Sequence, residues 1–308
     1  MDKSSKKSVL ITTNSFYSFQ AIGIDKIESK YGLKMKHSND IFKNDNIETQ
    51  INYLNQFEGI IAGTEKYDNK LLSKLHNIKV ISRVGVGLDS IDIKSANKNN
   101  IAIENTPTAH VDSVAQFNVA VYYLLKSNII NYSNQMRNKI WKKSFHDLAV
   151  YDKIGFYGLG KVSLKTINLL NIDKLNVVYF DPYVNNLKYK KVNSLEKLFA
   201  GSDTIFINAP LNEQTKNSVN DKVLKSLKNG SKIICCSRGG IINESSLVNY
   251  LTFNKKSACF LDVFKNEPYV GELLNLENLY ASPHVAGYSR SSRLLMEEEA
   301  ILNCIKHI

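Results

Sequence analysis

Side chains suited to acid–base chemistry and anion binding follow three apolar runs in the second half of the chain. Arg238 follows the run IICC, Glu267 comes shortly after the run ACFL, and His284 follows the short run LYA. A histidine exchanges protons near neutral pH, a carboxylate can orient its ring, and a guanidinium presents a planar fork to a carboxylate. One histidine after a proline is usually an ordinary loop residue, so the prediction depends on all three. Together they predict an acid–base site for a small anion.

A glycine turn is the second chemical signal. Residues 158–163 read GLGKVS, a G-x-G-x-x-G pattern with Ser163 in the third glycine position. Gly158 allows a sharp turn, Gly160 lets the backbone approach a pyrophosphate, and the following helix offers free N–H groups. Asp181 stands about 20 residues further on, where a carboxylate accepts hydrogen bonds from a ribose. The pattern predicts NAD binding; the alternative is an ordinary strand-to-helix turn.

These side chains require parallel strands joined by helices. A first domain, residues 1–103, is predicted to contain strands 9–13, 59–62, 79–82 and 101–104 and a helix over 16–31. A second domain, residues 104–287, begins with an apolar helix near 111–130 and is predicted to contain strands 154–157, 175–180, 204–208, 231–236 and 258–263. A last amphipathic helix lies within 288–308. Alternating strands and helices predict an α/β fold with parallel sheets, in which ligands bind beyond the carboxyl ends of the strands.

The composition predicts an ordinary globular protein. Of its 308 residues, 43% are hydrophobic and 22% are charged. No apolar run approaches the roughly 20 residues that span a membrane, so no membrane association is expected. The only apolar stretch near the N-terminus, at 9–11, is too short for a signal peptide, and we therefore expect a cytoplasmic protein.

Charge and cysteine content raise two further alternatives. The net charge of +11 is compatible with nucleic-acid binding, but the lysines are scattered and form no long basic block. We therefore predict solvated lysine faces and no nucleic-acid partner. The four cysteines, at 235, 236, 259 and 304, contain no C-x-x-C pair. This spacing predicts neither a disulfide framework nor a metal site.

Several blocks resemble a known family. KVISRVGVGLDSIDIKSA, IENTPTAHVDSVA, GFYGLGKVS, FDPY, INAPLNEQTKNSVN, CSRGGIINESSL, LDVFKNEP and SPHVAGYS occur in this order. They resemble the D-isomer-specific 2-hydroxyacid dehydrogenases, in the branch that includes phosphoglycerate dehydrogenases. The resemblance implies two Rossmann-like, doubly wound parallel-sheet domains with a cleft between them. The first, completed by the helix at 288–308, would bind substrate; the second would bind NAD and form a homodimer.

The resemblance also implies roles for individual residues. Arg238, Glu267 and His284 match the catalytic residues, and the N–H groups of Val84 and Gly85, with Arg238, match the substrate-carboxylate site. Positions that match cofactor contacts are Gly158, Gly160, Lys161, Val162, Asp181, Pro210, Thr215, Cys236, Ser237, Arg238, Asp262, His284 and Gly287. The carboxylate of Asp262 can accept a hydrogen bond from the nicotinamide carboxamide. We interpret Arg83 as structural and expect the loop 62–67 to face the substrate.

Some positions depart from the family pattern. Gln116 replaces a usual Glu, Ser163 the third glycine, and Asn208 a frequent His; residues 138–139 replace a glycine-containing pattern. The chain ends after its last helix, so we expect no added regulatory domain.

The expected function is NAD-dependent interconversion of a D-2-hydroxy acid and a 2-keto acid. The substrate could be 3-phosphoglycerate and its keto acid; the alternative is a hydroxypyruvate or glyoxylate reductase. A hypothesis from another class is a non-catalytic NAD(H)-sensing protein resembling corepressors of this fold.

Overall fold

The computed structural model describes residues 7–13, 16, 23–38, 40–146, 148–171, 176–186 and 188–308. The chain divides into two compact units, the first comprising 1–110 and 288–308 and the second comprising 111–287. The first unit therefore extends seven residues beyond the boundary predicted at 103. Within it, the N–H of Thr106 donates to the carbonyl of Gly85 at 3.0 Å, which ties the segment after the last strand back to its own sheet.

The first unit is a five-stranded parallel sheet with helices. Its elements are β1 (Lys7–Ile11), α1 (Ile24–Tyr31), β2 (Leu33–His37), α2 (Ile47–Leu54), β3 (Gly59–Ala62), α3 (Asn69–Leu72), β4 (Val80–Arg83), α4 (Ile93–Lys98) and β5 (Ala102–Glu104), together with the C-terminal helix. The strand order is β2-β1-β3-β4-β5. Of the helix predicted over 16–31, the structure shows 24–31, and residues 17–22 lie outside the described residues. Asp92 caps α4 by accepting from the N–H of Ser95.

The second unit is a seven-stranded parallel sheet. Its elements are α5 (Val111–Lys126), α6 (Ile129–Arg137), β6 (Lys153–Tyr157), α7 (Lys161–Leu170), β7 (Asn176–Phe180), β8 (Lys190–Lys191), α8 (Leu195–Gly201), β9 (Thr204–Ile207), α9 (Asp221–Leu224), β10 (Lys232–Cys235), α10 (Glu244–Phe253), β11 (Ala258–Leu261) and β12 (Leu279–Ala281); α11 (Arg290–His307) belongs to the first unit. The strand order is β12-β11-β10-β9-β6-β7-β8. The α/β prediction with parallel sheets is confirmed.

Apolar burial explains why these runs form strands. The four residues of β9 and those of β11 are all buried, as expected for central strands covered by helices on both faces. Two apolar clusters flank the second sheet, one containing Ile205 and Leu261 and the other Phe156 and Phe206. Because both faces are covered, polar side chains that follow the strands collect at the carboxyl edge of the sheet. In the described part of the chain, no helix is both long enough and apolar enough to cross a membrane.

Candidate active site

The glycine turn has the backbone geometry that the sequence predicts. Gly158 has φ +86°, and a Cβ built there would lie 2.9 Å from the backbone nitrogen of Ala209. A side chain at this position would therefore be strained and would also meet backbone atoms. The N–H of Gly158 donates to the carbonyl of Phe180 at 2.9 Å, which ties the turn to the end of β7. The turn accordingly requires glycine for conformation and for close packing.

The N-terminus of α7 is open beyond this turn. Gly160 is its N-cap and has no side-chain capping bond. Across the described residues, no hydrogen bond is recorded from the N–H groups of Gly160, Lys161 or Val162. A Cβ on Gly160 would meet no atom within 4 Å, so the backbone here borders free space. Free N–H groups at the positive end of a helix dipole suit a pyrophosphate, and the predicted residues fit that ligand.

Asp181 lies at the end of β7 and closes the other side of the turn. Its Oδ2 accepts from the N–H of Leu159 at 2.9 Å, and its Oδ1 accepts from Tyr183 and Val184 at 2.9 and 3.1 Å. A cavity of about 550 Å³ adjoins it, in the size range of small-molecule sites. Residues that line this cavity include Gly158, Asp181, Pro182, Pro210 and Thr215. Its place beside the glycine turn and the acidic residue fits the adenosine half of a dinucleotide.

His284 and Glu267 form a direct pair. The Nδ1 of His284 lies 2.8 Å from Oε2 of Glu267, and Oε1 of Glu267 accepts from the N–H of Phe264 at 2.9 Å. Burial raises the pKa of the Glu267 carboxyl, but the bonds from His284 and Phe264 and the charges of His284 and Arg238 outweigh it, so this pKa is lowered. Glu267 is therefore ionised at neutral pH. The histidine ring is oriented through Nδ1, and its side chain is 45% exposed.

Asp262 holds the loop that carries His284. The side chain is fully buried. Its carboxylate accepts from the hydroxyl of Ser282 at 2.5 Å and from the N–H groups of Val285 and Ala286, each at 2.8 Å. Its backbone carbonyl accepts from the N–H of His284, which has φ +54°. Asp262 thus fixes an unusual backbone conformation at His284, and its predicted bond to the nicotinamide carboxamide stays a prediction.

Arg238 follows β10 in a loop that is packed against the loop carrying Glu267. The Nη1 of Arg238 donates to the carbonyl of Ser237 at 2.7 Å. A Cβ built on Gly239 would lie 1.9 Å from the carbonyl oxygen of Phe264, so the two backbones touch and no side chain fits between them.

Cys236, two residues before Arg238, is a predicted cofactor contact with an unreactive thiol. Burial and the charge of Asp262 raise the pKa of this thiol well above its usual range, which keeps it protonated.

In the first unit, the two N–H groups that are predicted to bind the substrate carboxylate already have hydrogen-bond partners. The N–H of Val84 donates to the carbonyl of Ala62 at 2.9 Å, and that of Gly85 donates to Oγ1 of Thr106 at 2.8 Å. Both predicted groups are therefore engaged within the unit. For the next two residues, Val86 and Gly87, no N–H hydrogen bond is recorded in the described parts of the chain.

Comparisons with known proteins decide the family. Residues 119–286, more than half of the chain, match the model described as "D-isomer specific 2-hydroxyacid dehydrogenase, NAD binding domain". The chain belongs to this family. Among relatives, D-3-phosphoglycerate dehydrogenase of Archaeoglobus fulgidus is 27% identical over 84% of this chain and 51% of that protein. Hydroxypyruvate reductase of Thermotoga maritima is 27% identical over 81% of this chain and 84% of that protein.

Solved structures support the fold. D-2-hydroxyisocaproate dehydrogenase aligns with a TM-score of 0.83 and 21% identity over 97% of this chain and 96% of that one. The chain spans about half the length of the phosphoglycerate dehydrogenases that it matches first. For this 2-hydroxyacid dehydrogenase family member, the second unit contains the matched NAD-binding domain. It brings together the glycine turn, Asp181, Arg238 and the His284–Glu267 pair.

Proposed function

We propose that this chain is an NAD-dependent dehydrogenase that interconverts a 2-keto acid and a D-2-hydroxy acid. The observation that carries the proposal is the 2.8 Å bond between Nδ1 of His284 and the ionised Glu267. This bond leaves Nε2 as the ring nitrogen that holds and releases a proton. A histidine oriented in this way is suited to general acid–base catalysis near neutral pH. The open helix N-terminus in the same unit supports the choice of a dinucleotide as cofactor.

Each catalytic side chain has a proposed task in keto-acid reduction. The nicotinamide, when bound, supplies the two electrons as hydride. His284 donates its proton to the carbonyl oxygen of the substrate, and Glu267 keeps the ring oriented and stabilises the imidazolium. Arg238 binds the substrate carboxylate and the adjacent carbonyl oxygen through its planar fork. In the reverse direction His284 accepts the proton of the hydroxyl group.

The first unit has a proposed role in binding the substrate carboxylate. Predicted donors Val84 and Gly85 are engaged, so we place the role on the N–H groups of Val86 and Gly87. Arg83 supports this loop, because its Nε donates to the carbonyl of Gly63 at 3.3 Å and its guanidinium fills the space beside Gly85. A cation behind the loop makes its free N–H groups better anion donors.

The loop 62–67 favours a substrate with a small, uncharged tail. Glu65 accepts from the N–H of Gly63 at 2.7 Å, and burial raises the pKa of its carboxyl while the charge of Arg83 opposes that rise. The Nζ of Lys66 is exposed and lies 3.9 Å from Oδ2 of Asp68. A phosphate at this loop would therefore meet the carboxyl of Glu65 beside a lysine that already has an acidic neighbour. We therefore propose hydroxypyruvate or glyoxylate as better substrates than 3-phosphohydroxypyruvate.

We propose NAD rather than NADP as the cofactor. The carboxylate of Asp181 lines the cavity and would repel a 2′-phosphate while accepting a hydrogen bond from a ribose hydroxyl. Pro182 and Tyr183, which follow it, supply no cation. Lys222 also lines this cavity, but its ammonium pairs with Glu196 at 2.7 Å. Comparable kcat/KM values with NADH and NADPH would contradict this choice.

We further propose a homodimer built on the second unit. Large apolar side chains lie exposed along residues 129–151, and Trp141 and Tyr151 are 80% and 82% exposed. The others are Ile129, Met136, Ile140, Phe145, Leu148 and Val150. A second copy covering this surface would remove it from water. Light scattering after size exclusion should give twice the chain mass of 34.8 kDa.

We also assign the protein to the cytoplasm. All four cysteines are free, and all are buried. Reduced cysteines used as packing residues are typical of a reducing compartment.

The deciding experiment is NADH oxidation measured against a panel of 2-keto acids. The panel contains hydroxypyruvate, glyoxylate, pyruvate, 3-phosphohydroxypyruvate and bulkier 2-keto acids. We expect turnover, with the highest kcat/KM for hydroxypyruvate or glyoxylate. Tight NADH binding without turnover of any compound would favour the non-catalytic sensing protein instead. A preference for 3-phosphohydroxypyruvate would contradict the proposed role of Glu65 but not the reaction class.

A further inference from the structure

Two departures from the family pattern touch each other. Ser163 replaces the third glycine of the turn motif, and Asn208 stands where a histidine is frequent. The Nδ2 of Asn208 donates to Oγ of Ser163 at 3.0 Å, although the residues are 45 positions apart. Ser163 is fully buried in the first turn of α7, and Asn208 directly follows β9. Buried polar groups need hydrogen-bond partners, and here the amide of Asn208 and the hydroxyl of Ser163 are partners of each other. A change at either position therefore leaves a polar group at the other without its partner.

This pair acts on the glycine turn. The hydroxyl of Ser163 donates to the carbonyl of Gly158 at 2.7 Å while it accepts from Asn208. The N–H of Asn208 donates to the carbonyl of Tyr157 at 2.8 Å, so its own backbone is anchored beside the turn. The fully buried Asn118 of α5 extends the chain with a longer bond, 3.4 Å from Nδ2 to Oδ1 of Asn208. A directed series of hydrogen bonds thus ends on Gly158.

We propose that Ser163 and Asn208 are a coupled pair of positioning residues that fixes the glycine turn for the pyrophosphate of the cofactor. The inference rests on the proposed dinucleotide site. The carbonyl of Gly158 lies two residues before the N-cap Gly160, so its orientation sets where the free N–H groups of α7 point. Ser163 supplies a hydroxyl to hold this carbonyl, and Asn208 supplies the donor that orients the hydroxyl.

The coupling predicts non-additive effects. Ser163→Ala removes the bond to Gly158 and leaves the Asn208 amide without its acceptor. Asn208→Ala removes the donor and frees the hydroxyl of Ser163 to rotate. Each change should weaken NADH binding about 10-fold, within the range for one buried hydrogen bond. Because either change already disrupts the pair, the double variant should bind about 10-fold more weakly, not about 100-fold.

The test is calorimetric titration of the full chain with NADH and separately with adenosine. Adenosine has no pyrophosphate, so its Kd should stay within about twofold in all three variants. Ser257→Ala is the matched control, because Ser257 is also buried and bonds the hydroxyl of Tyr250 at 2.9 Å away from the turn. This control should lower the Tm of the free protein without changing the NADH Kd.

Several outcomes would overturn the inference. If Ser163→Ala lowers the Tm and leaves the NADH Kd unchanged, as the control does, the pair is only structural. Effects that multiply in the double variant would show two independent residues. Equal weakening of NADH and adenosine would show general damage to the unit. Failure of the unmodified protein to bind NADH would instead refute the proposed function together with this inference, which separates that result from the others.

Discussion

Two loops at the carboxyl ends of strands contain backbone N–H groups without a hydrogen-bond partner in the described part of the chain. The loops differ in what determines which of their N–H groups stay free. In the turn at 158–163, the free groups are the ones that the glycine pattern predicts. In the loop at 84–87, the pattern points to Val84 and Gly85, but hydrogen bonds to Ala62 and Thr106 already use both groups. The first loop is defined by local geometry, and the second by partners distant in sequence. Motifs therefore identify anion donors only when their N–H groups have no tertiary partner.

The two units also differ in the chemistry that their side chains allow. The second unit contains the oriented histidine and its carboxylate. The first unit offers N–H groups at 86–87 supported by Arg83. The comparison predicts that changes in the second unit affect the chemical step, whereas changes in the first unit affect substrate affinity. The following substitutions test this division.

His284→Gln should have the largest effect. Loss of a positioned proton donor should lower kcat by roughly 10²–10⁴-fold, with little change in the Kd for NADH. Steady-state kinetics of keto-acid reduction measures the first quantity, and calorimetry measures the second. His37→Gln in the first unit is the control and should leave kcat unchanged. A kcat within threefold of the unmodified enzyme would remove His284 from the mechanism.

Arg238→Lys should follow. The ammonium keeps the charge but loses the fork, so KM should rise and kcat should fall together. The expected loss in kcat/KM is about 2–4 kcal/mol, comparable to the loss of one preorganised donor. Arg290→Lys at the exposed start of α11 is the control and should be neutral. A lower Tm with nearly intact kcat/KM would show that Arg238 only ties its loop in place.

Glu267→Gln should change the pH dependence. The pKa of Glu267 is lowered, so this group is anionic throughout the neutral range and favours the protonated histidine. Without that charge the imidazolium loses its anionic partner. The decline of kcat/KM for keto-acid reduction with rising pH should therefore begin at a lower pH in the variant. An active Glu267→Gln enzyme with an unmoved profile would contradict the orienting role.

Thr106→Val should have the smallest effect. The substitution keeps the shape of the buried side chain and removes the acceptor for the N–H of Gly85. A loosened loop should raise the KM for the keto acid about threefold to tenfold, with kcat and NADH binding unchanged. Thr204→Val, a buried threonine of the second unit, is the control for general destabilisation. An equal rise in KM in both variants would show that general destabilisation, and not the loop at 84–87, causes the effect.

The sequence was informative where chemistry depends on neighbouring residues. Gly158 and Asp181 follow from the pattern because a turn, a helix and the end of a strand fix their places locally. Thr106 and Gly85 could not be paired, since their contact joins segments that no short-range periodicity relates. The contact between Ser163 and Asn208 escaped for the same reason. Each was visible as a departure, but their proximity arises only from the packing of α7 beside β9.

The ends of helices and strands also depend on contacts between residues that are distant in sequence. The helix predicted near 111–130 ends at Lys126. Asn128, with φ +56°, separates α5 from α6, and side-chain hydrophobicity does not encode such a break. Apolar runs predicted the central strands, because these strands are buried on both faces. The edge strands β2 and β8 have alternating or charged sequences and were not predicted. The ends of the strands depend on contacts with other segments.

The contact between Gly239 and the carbonyl of Phe264 has a consequence for how this protein can change during evolution. The two backbones are in direct contact, so no side chain fits at Gly239. The segments that carry Arg238 and Glu267 therefore cannot shift independently of each other. A mutation that moved the fork would also move the partner of His284, so selection for a new substrate could not adjust them separately. Under the proposed function, diversity in the accepted acid should therefore accumulate at residues 64–66, the part of the loop 62–67 that is not buried.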